Sequence, residues 1–186
     1  MEQKEILDKF EKVLEDGLVK ICQGAGLFEE MVSSPDIEGK WDEYIKPYIE
    51  DAVSNFNEYP EAALAWAAFL GMGVARRWDE DWTKYSKAKY SDYYGSRGWD
   101  DMDEHVMYEI QHLVPDFAKK VSDTLDSCAL ATLSLIRHEG IETQTQLGFF
   151  ILARSYSVMY RIGEAIELKR LGYRKVLLDP SKIINS

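Results

Sequence analysis

The amino-acid sequence predicts an all-α, single-domain bundle of about seven helices with an apolar central helix, and three observations carry that prediction. Apolar residues recur every three to four positions over most of the chain, the spacing of a helix that buries one face. The strict apolar–polar alternation of a half-buried strand is hard to find anywhere. One stretch, residues 62–75, has no polar side chain at all, the composition of a helix enclosed by other helices. A chain of 186 residues can bury a sizeable single core. No repeat, low-complexity run or long linker divides it, so one domain over residues 1–186 is expected.

The first helix is expected over residues 4–23, with Ile6, Phe10, Val13, Leu14 and Ile21 at helical spacing. Gly17 falls near that face, where a missing side chain admits a neighbouring helix, and Gly24 and Gly26 end the segment. A short amphipathic piece over residues 27–32 precedes the turn at Ser33, Ser34, Pro35 and Asp36. Trp41, Tyr44, Ile45, Tyr48, Ile49, Ala52, Val53 and Phe56 form the next stripe. Pro47 lacks a backbone donor and is expected to start a new helix there or kink this one. Pro60 suits the first turn of the succeeding helix.

Residues 62–75 fall short of the roughly 20 that cross a bilayer, so they read as the central core helix, with Gly71 and Gly73 as points of close packing. From Trp78 to Trp99 the chain turns polar and aromatic, with a loop at residues 95–98. A helix starting at Asp100 or Asp101 and ending near Val114 turns Met102, Val106, Ile110 and Leu113 inward. Pro115 opens a long helix to His138, which Gly140 stops as a C-terminal cap. Thr143 caps the last long helix, which runs to about Leu171. Its first half, with Leu147, Phe149, Phe150, Ile151 and Leu152, is apolar nearly all round and reads as the second core helix. Residues 173–186 read as a docked or frayed tail.

The formal net charge of −11, from 33 acidic and 22 basic residues, repels phosphate backbones and anionic lipid. Nucleic-acid and membrane binding are therefore not expected. The N-terminal residues lack the basic, apolar and small-residue zones of a signal peptide. Cys22 and Cys128, the two cysteines, both fall on apolar helix faces and read as buried thiols in a reducing compartment. A cytoplasmic location is the expectation.

The aromatic segment carries the main functional expectation. Trp78, Trp82, Tyr85, Tyr90, Tyr93, Tyr94 and Trp99 lie close together beside Arg76, Arg77 and Arg97. Tyr, Trp and Arg dominate binding hot spots because they bury large and partly polar surfaces. The competing reading is that these rings pack on the core with only their polar tips at the surface.

A second constellation resembles a metal site. Asp101, His105, Glu109 and His112 fall at i, i+4, i+8 and i+11, within about 80° of one another on an α-helix. Imidazole and carboxylate suit zinc, iron or manganese, and Glu109 with His112 has the Glu-x-x-His spacing of di-iron bundles. The chain holds no second copy of that motif, and on a regular helix the stripe turns to solvent unless another element covers it. Asp100, Asp101, Asp103 and Glu104 read as N-terminal capping. Glu164 with Glu167, and Asp123 with Asp126, read as carboxylate pairs on an acidic helical surface.

Arg154 and Arg161, seven residues apart, share a face of the last long helix. Once buried, each guanidinium needs a carboxylate partner; the alternative is an anion-binding pocket. No Gly-x-Ser-x-Gly elbow or Walker-type loop is present. These residues point to a non-enzymatic protein that binds a protein partner or forms a homodimer through its aromatic segment, with no cofactor expected. The alternative is a small metal-dependent enzyme or metal-binding protein holding a divalent transition metal on the His105–His112 stripe. Either reading leaves a small-molecule ligand open.

Overall fold

Two helices cross so closely that neither could carry a side chain at the crossing point. A Cβ on Gly71 would lie 2.1 Å from the Tyr160 carbonyl oxygen, and one on Gly163 would lie 1.8 Å from that of Ala68. This crossing of α3 and α6 is the largest helix contact in the structure, a computed structural model that describes residues 2–175. Among the described residues there are six α-helices: α1 (Gln3–Gly24), α2 (Pro35–Phe56), α3 (Pro60–Tyr85), the short α4 (Met102–Glu104), α5 (Pro115–His138) and α6 (Gln146–Arg170). No strand occurs among the described residues.

The all-α class holds, with six helices rather than about seven. The expected piece at residues 27–32 is not helical. Gly26 takes φ 72°, and the Leu27 N–H then closes on the Cys22 carbonyl at 3.0 Å, which reverses the chain as helix C-terminal motifs do. Leu27 and Phe28 plug into the core instead. The helix expected from Asp100 or Asp101 to Val114 is a chain of different windings. A 3-10 turn (Trp99–Asp101) leads into α4, and a π-helical turn (His105–Ile110) follows. Pro47 neither ends nor restarts α2, which continues through it.

Residues 62–75 are the core of α3, with Leu64, Leu70, Met72 and Val74 fully enclosed. The helix runs on to Tyr85, well past the end of the apolar run. Gly73 receives the ring of Tyr93, as close packing requires. Gly17, expected at a helix contact, faces open space instead. The cap of α6 is Thr145, whose hydroxyl accepts from the Gly148 N–H at 3.0 Å. It stands two residues beyond the expected Thr143. The all-round buried part of α6 is its second half, where every residue from Ile162 to Leu168 is buried, whereas Phe149 and Phe150 are exposed.

Around the α3–α6 pair, α2 packs on both, α5 packs on α3, and α1 packs between α5 and α6. Ion pairs of Asp8 and Glu11 with Arg154, and of Glu11 and Glu15 with Arg161, show that α1 and α6 run parallel. Cys22 of α1 meets Cys128 of α5, Sγ to Sγ 3.9 Å, both buried and both free thiols. Of the expected tail, Tyr173 is docked: its hydroxyl donates to Asp79 at 2.7 Å, and its ring lies 5.2 Å from that of Trp78. Residues 176–186 lie outside the described residues.

Candidate functional site

The aromatic segment divides into rings that build the core and rings that reach the surface. Tyr90, Tyr93 and Trp99 are buried. The segment leaves α3, folds back over α2 and is fastened there by hydrogen bonds. Tyr90 and Tyr94 both donate to Asp51 Oδ2, at 2.9 and 2.5 Å, and the Trp99 carbonyl accepts from the Trp66 indole at 2.7 Å. Tyr44 donates to the Ala88 carbonyl. Burial, and then the Asp51 charge, holds the Tyr90 phenol far above its ordinary range. Burial also pushes Tyr93 up to about 12, against the pull of Arg77. These phenols stay protonated; Tyr90 and Tyr94 act as structural donors, whereas the buried Tyr93 hydroxyl has no hydrogen-bond partner among the described residues. Arg97 is exposed and turns away from the rings to Asp101, at 2.7 Å.

What remains at the surface is a ridge at the C-terminal end of α3. Trp78, Trp82 and Tyr85 are half-buried there. The Trp78 indole donates to Asp36 Oδ2 at 3.1 Å. The Arg77 guanidinium sits between two rings, 4.9 Å from the centre of Tyr85 and 4.7 Å from that of Tyr93. The buried Lys40 places its ammonium 6.0 Å from the Trp82 ring, and Lys84 lies 4.9 Å from that of Tyr85. Asp81 takes an extended conformation inside the helix (φ −165°, ψ 87°) and caps the final turn by accepting from the Lys84 N–H at 3.2 Å. Cations stacked on aromatic faces restrict both partners, so the ridge is held in place. Tyr94 lies beside Asp51, eleven residues of α2 from Lys40, which is about 16 Å along the axis and off the ridge.

The four residues of the metal-like stripe are not brought together. Asp101 sits in the 3-10 turn, where Arg97 and Ser96 bind its carboxylate and Arg97 holds its pKa below the ordinary range. His105 opens the π turn and pairs its Nδ1 with Glu109 Oε2 at 2.9 Å. His112 lies beyond that turn with φ 55°, exposed. The stripe was laid out at about 100° per residue, and that spacing fails across a 3-10 turn, an α turn and a π turn. Among the described residues, no three His, Cys, Asp or Glu side chains are arranged to hold a metal ion.

Arg154 and Arg161 are both answered by carboxylates. Arg154 binds Glu11 and lies 3.4 Å from Asp8. Arg161 reaches Glu11 at 3.0 Å and Glu15 at 2.9 Å. Burial works against the Arg161 charge, but Glu15 and Glu11 outweigh it and raise its pKa. Both arginines are only partly buried, and both are paired with acids as expected; the groove beside Arg154 is lined mainly by Asp8, Glu11, Glu15 and Asp16, a poor seat for an anion.

The carboxylate pair expected on the surface of the last helix is instead completely buried. Glu164 and Glu167 are 0% exposed. Glu164 Oε1 accepts from the Ser34 N–H, at the N-terminal end of α2, at 2.7 Å. Its Oε2 has no hydrogen-bond partner among the described residues. Burial pushes this carboxyl up from the ordinary 4.5 to about 8, the Ser34 N–H opposing. Glu167 is anchored differently: Gln111 donates to it, and Arg170 grips it with two nitrogens at 3.0 and 2.5 Å. Burial raises its pKa while Arg170 pulls it down. The π turn carries the chain to Gln111, itself buried. The overlooked signal was the neighbourhood, since Ile162, Gly163, Ala165, Ile166 and Leu168 surround both acids with apolar positions on every side of the helix.

No helix among the described residues is long and apolar enough to cross a membrane. Compared with protein-family models, curated proteins and solved structures, the chain matches none.

Proposed function

We propose that the chain works by binding a protein partner, without catalysis, through the ridge formed by Trp78, Trp82 and Tyr85 with Lys40 and Arg77. The observation that carries this reading is the stacking of Arg77 between Tyr85 and Tyr93. It fixes a half-exposed aromatic and a cation at the surface before any partner arrives, and pre-organised Trp, Tyr and Arg side chains lose little freedom on association. Buried rings such as Tyr93 and Trp99 support the ridge from beneath. The two buried free thiols support a reducing compartment such as the cytoplasm as the protein's location.

A photo-crosslinking residue at position 82 tests the reading, with the same residue at the exposed Val53 of α2 as reference. A discrete protein adduct formed from position 82 and not from 53 is expected. With that partner purified, Trp82→Ala and Tyr85→Ala should each weaken binding about tenfold or more and leave the helical circular dichroism unchanged. Equal adducts from both positions, or wild-type affinity in both variants, would remove the basis for this site.

A further inference from the structure

We propose that Cys22 and Cys128 form a redox latch: hydrogen peroxide joins them in a disulfide that fastens the C-terminal end of α1 to α5, and a dithiol reductant releases it. The two sulfurs already touch, 3.9 Å apart and fully buried, although 106 positions of sequence separate them. Each thiol has the other as its hydrogen-bond partner. A disulfide holds its sulfurs about 2.05 Å apart, so the pair closes by about 2 Å, a gap on the scale that rotating two thiols about their Cα–Cβ bonds covers. The chain has no other cysteine, so only one bond can form within a molecule. The latch also falls where α1 is least tied. Asp8, Glu11 and Glu15 bind Arg154 and Arg161 of α6, but beyond Glu15 no residue of α1 makes an ion pair with another helix among the described residues.

Cys22 is the sulfur that the oxidant meets first. It stands in the last turn of α1, which ends at Gly24, and helix ends open more readily than helix middles. Gly24 would carry its side chain into open space, and Gly26 turns the chain with φ 72°, so little holds this turn shut from outside. Cys128 lies in the middle of α5, where the Cys22 sulfur and then burial keep its thiol well above the ordinary range. The Cys22 thiolate attacks a peroxide oxygen, the O–O bond breaks, and the departing hydroxide takes up the proton that the thiol gave. Re-closing the turn brings the resulting sulfenic acid back against Cys128. The Cys128 sulfur then attacks the Cys22 sulfur, the S–S bond forms, the S–O bond breaks, and hydroxide leaves with the Cys128 proton as a second water. The two thiols lose two electrons and the peroxide gains them. Disulfides that appear in reducing compartments are commonly of this transient, redox-sensing kind.

Treating the folded, reduced protein with excess hydrogen peroxide tests the proposal, with cysteine state read by alkylation under denaturing conditions and by the mass of the joined peptides. A monomer carrying the Cys22–Cys128 disulfide and an unchanged helical signal is expected. Its urea midpoint should stand about 1 M or more above that of the same sample reduced with dithiothreitol, a comparison that leaves any oxidised methionine the same on both sides. Cys128→Ala cannot close the bond, so Cys22 should be captured by dimedone as a sulfenic acid, and dithiothreitol should leave the midpoint of that variant where it was. The wild-type measurement stands even where that variant fails to fold. Wild-type thiols that both remain open to alkylation after peroxide overturn the proposal. So do cysteines driven to sulfinic or sulfonic acid without a disulfide, a disulfide that forms between copies, and an internal disulfide that leaves the urea midpoint unmoved.

Discussion

Replacing Glu164 by glutamine should stabilise the protein, and by an amount that depends on pH. The folded carboxyl sits near 8 against an ordinary 4.5, so between those values the native state holds a proton that the unfolded chain has released. Stability is then lost as pH rises through this window, and it levels off once the folded carboxyl also ionises. At about 1.36 kcal/mol per pH unit, the cost of keeping Glu164 buried is under about 1 kcal/mol at pH 5. It reaches about 3 kcal/mol at pH 7 and between 4 and 5 kcal/mol above pH 8. Glutamine keeps an oxygen to accept from the Ser34 N–H and never ionises, but it leaves one more buried N–H without a partner, at about 1 kcal/mol. Urea unfolding at about pH 5, 7 and 8.5 should therefore find Glu164→Gln close to wild type at the acid end and about 3–4 kcal/mol more stable at the alkaline end. A difference that stays flat across this range would refute the assignment of a buried, proton-holding carboxyl to this position.

Two glycine substitutions should move stability in opposite directions. Gly163→Ala drives a methyl group into the Ala68 carbonyl and should cost about 3 kcal/mol, whereas Gly17→Ala meets open space and should gain about 0.5–1 kcal/mol; urea midpoints decide both. Thr145→Ala removes the hydroxyl that accepts from Gly148 and should lower stability by about 1 kcal/mol, measured in the same way. Zinc(II) added to metal-free protein should leave the thermal midpoint unchanged. A rise that is abolished by His105→Ala with His112→Ala would revive the metal reading.

What could be read from the sequence was set by local periodicity, and what could not was set by neighbours distant in the chain. The apolar run at residues 62–75 is self-announcing, because no surface helix lacks polar side chains on every face. Arg154 and Arg161 announced a need for acids, although nothing in the sequence assigned Asp8, Glu11 and Glu15 to meet it. Gly17 and Gly163 look alike in sequence and differ only in whether another backbone crosses there. The winding of residues 99–110 was hidden because the stripe of Asp101, His105, Glu109 and His112 presumes a uniform α-helix. Only the folded chain reveals the π turn that separates them. Glu164 and Glu167 were read as surface residues on composition, which is the usual place for carboxylates. Their apolar surroundings within α6 were the better guide. The aromatic segment split between both readings, because residues in one continuous run alternately meet α2 and the solvent.

The parallel seating of α1 beside α6 has a consequence for how the protein is made. Glu11 finds Arg154 143 residues further along the chain and Arg161 150 residues further. A ribosome adding about 5–20 residues per second delivers α6 roughly 7–30 s after α1. Throughout that interval Leu7, Phe10, Leu14 and Leu18 have no lasting cover, because α5 also arrives late. The apolar face of α1 is thus covered only by contacts of high sequence separation, the kind whose closure slows folding.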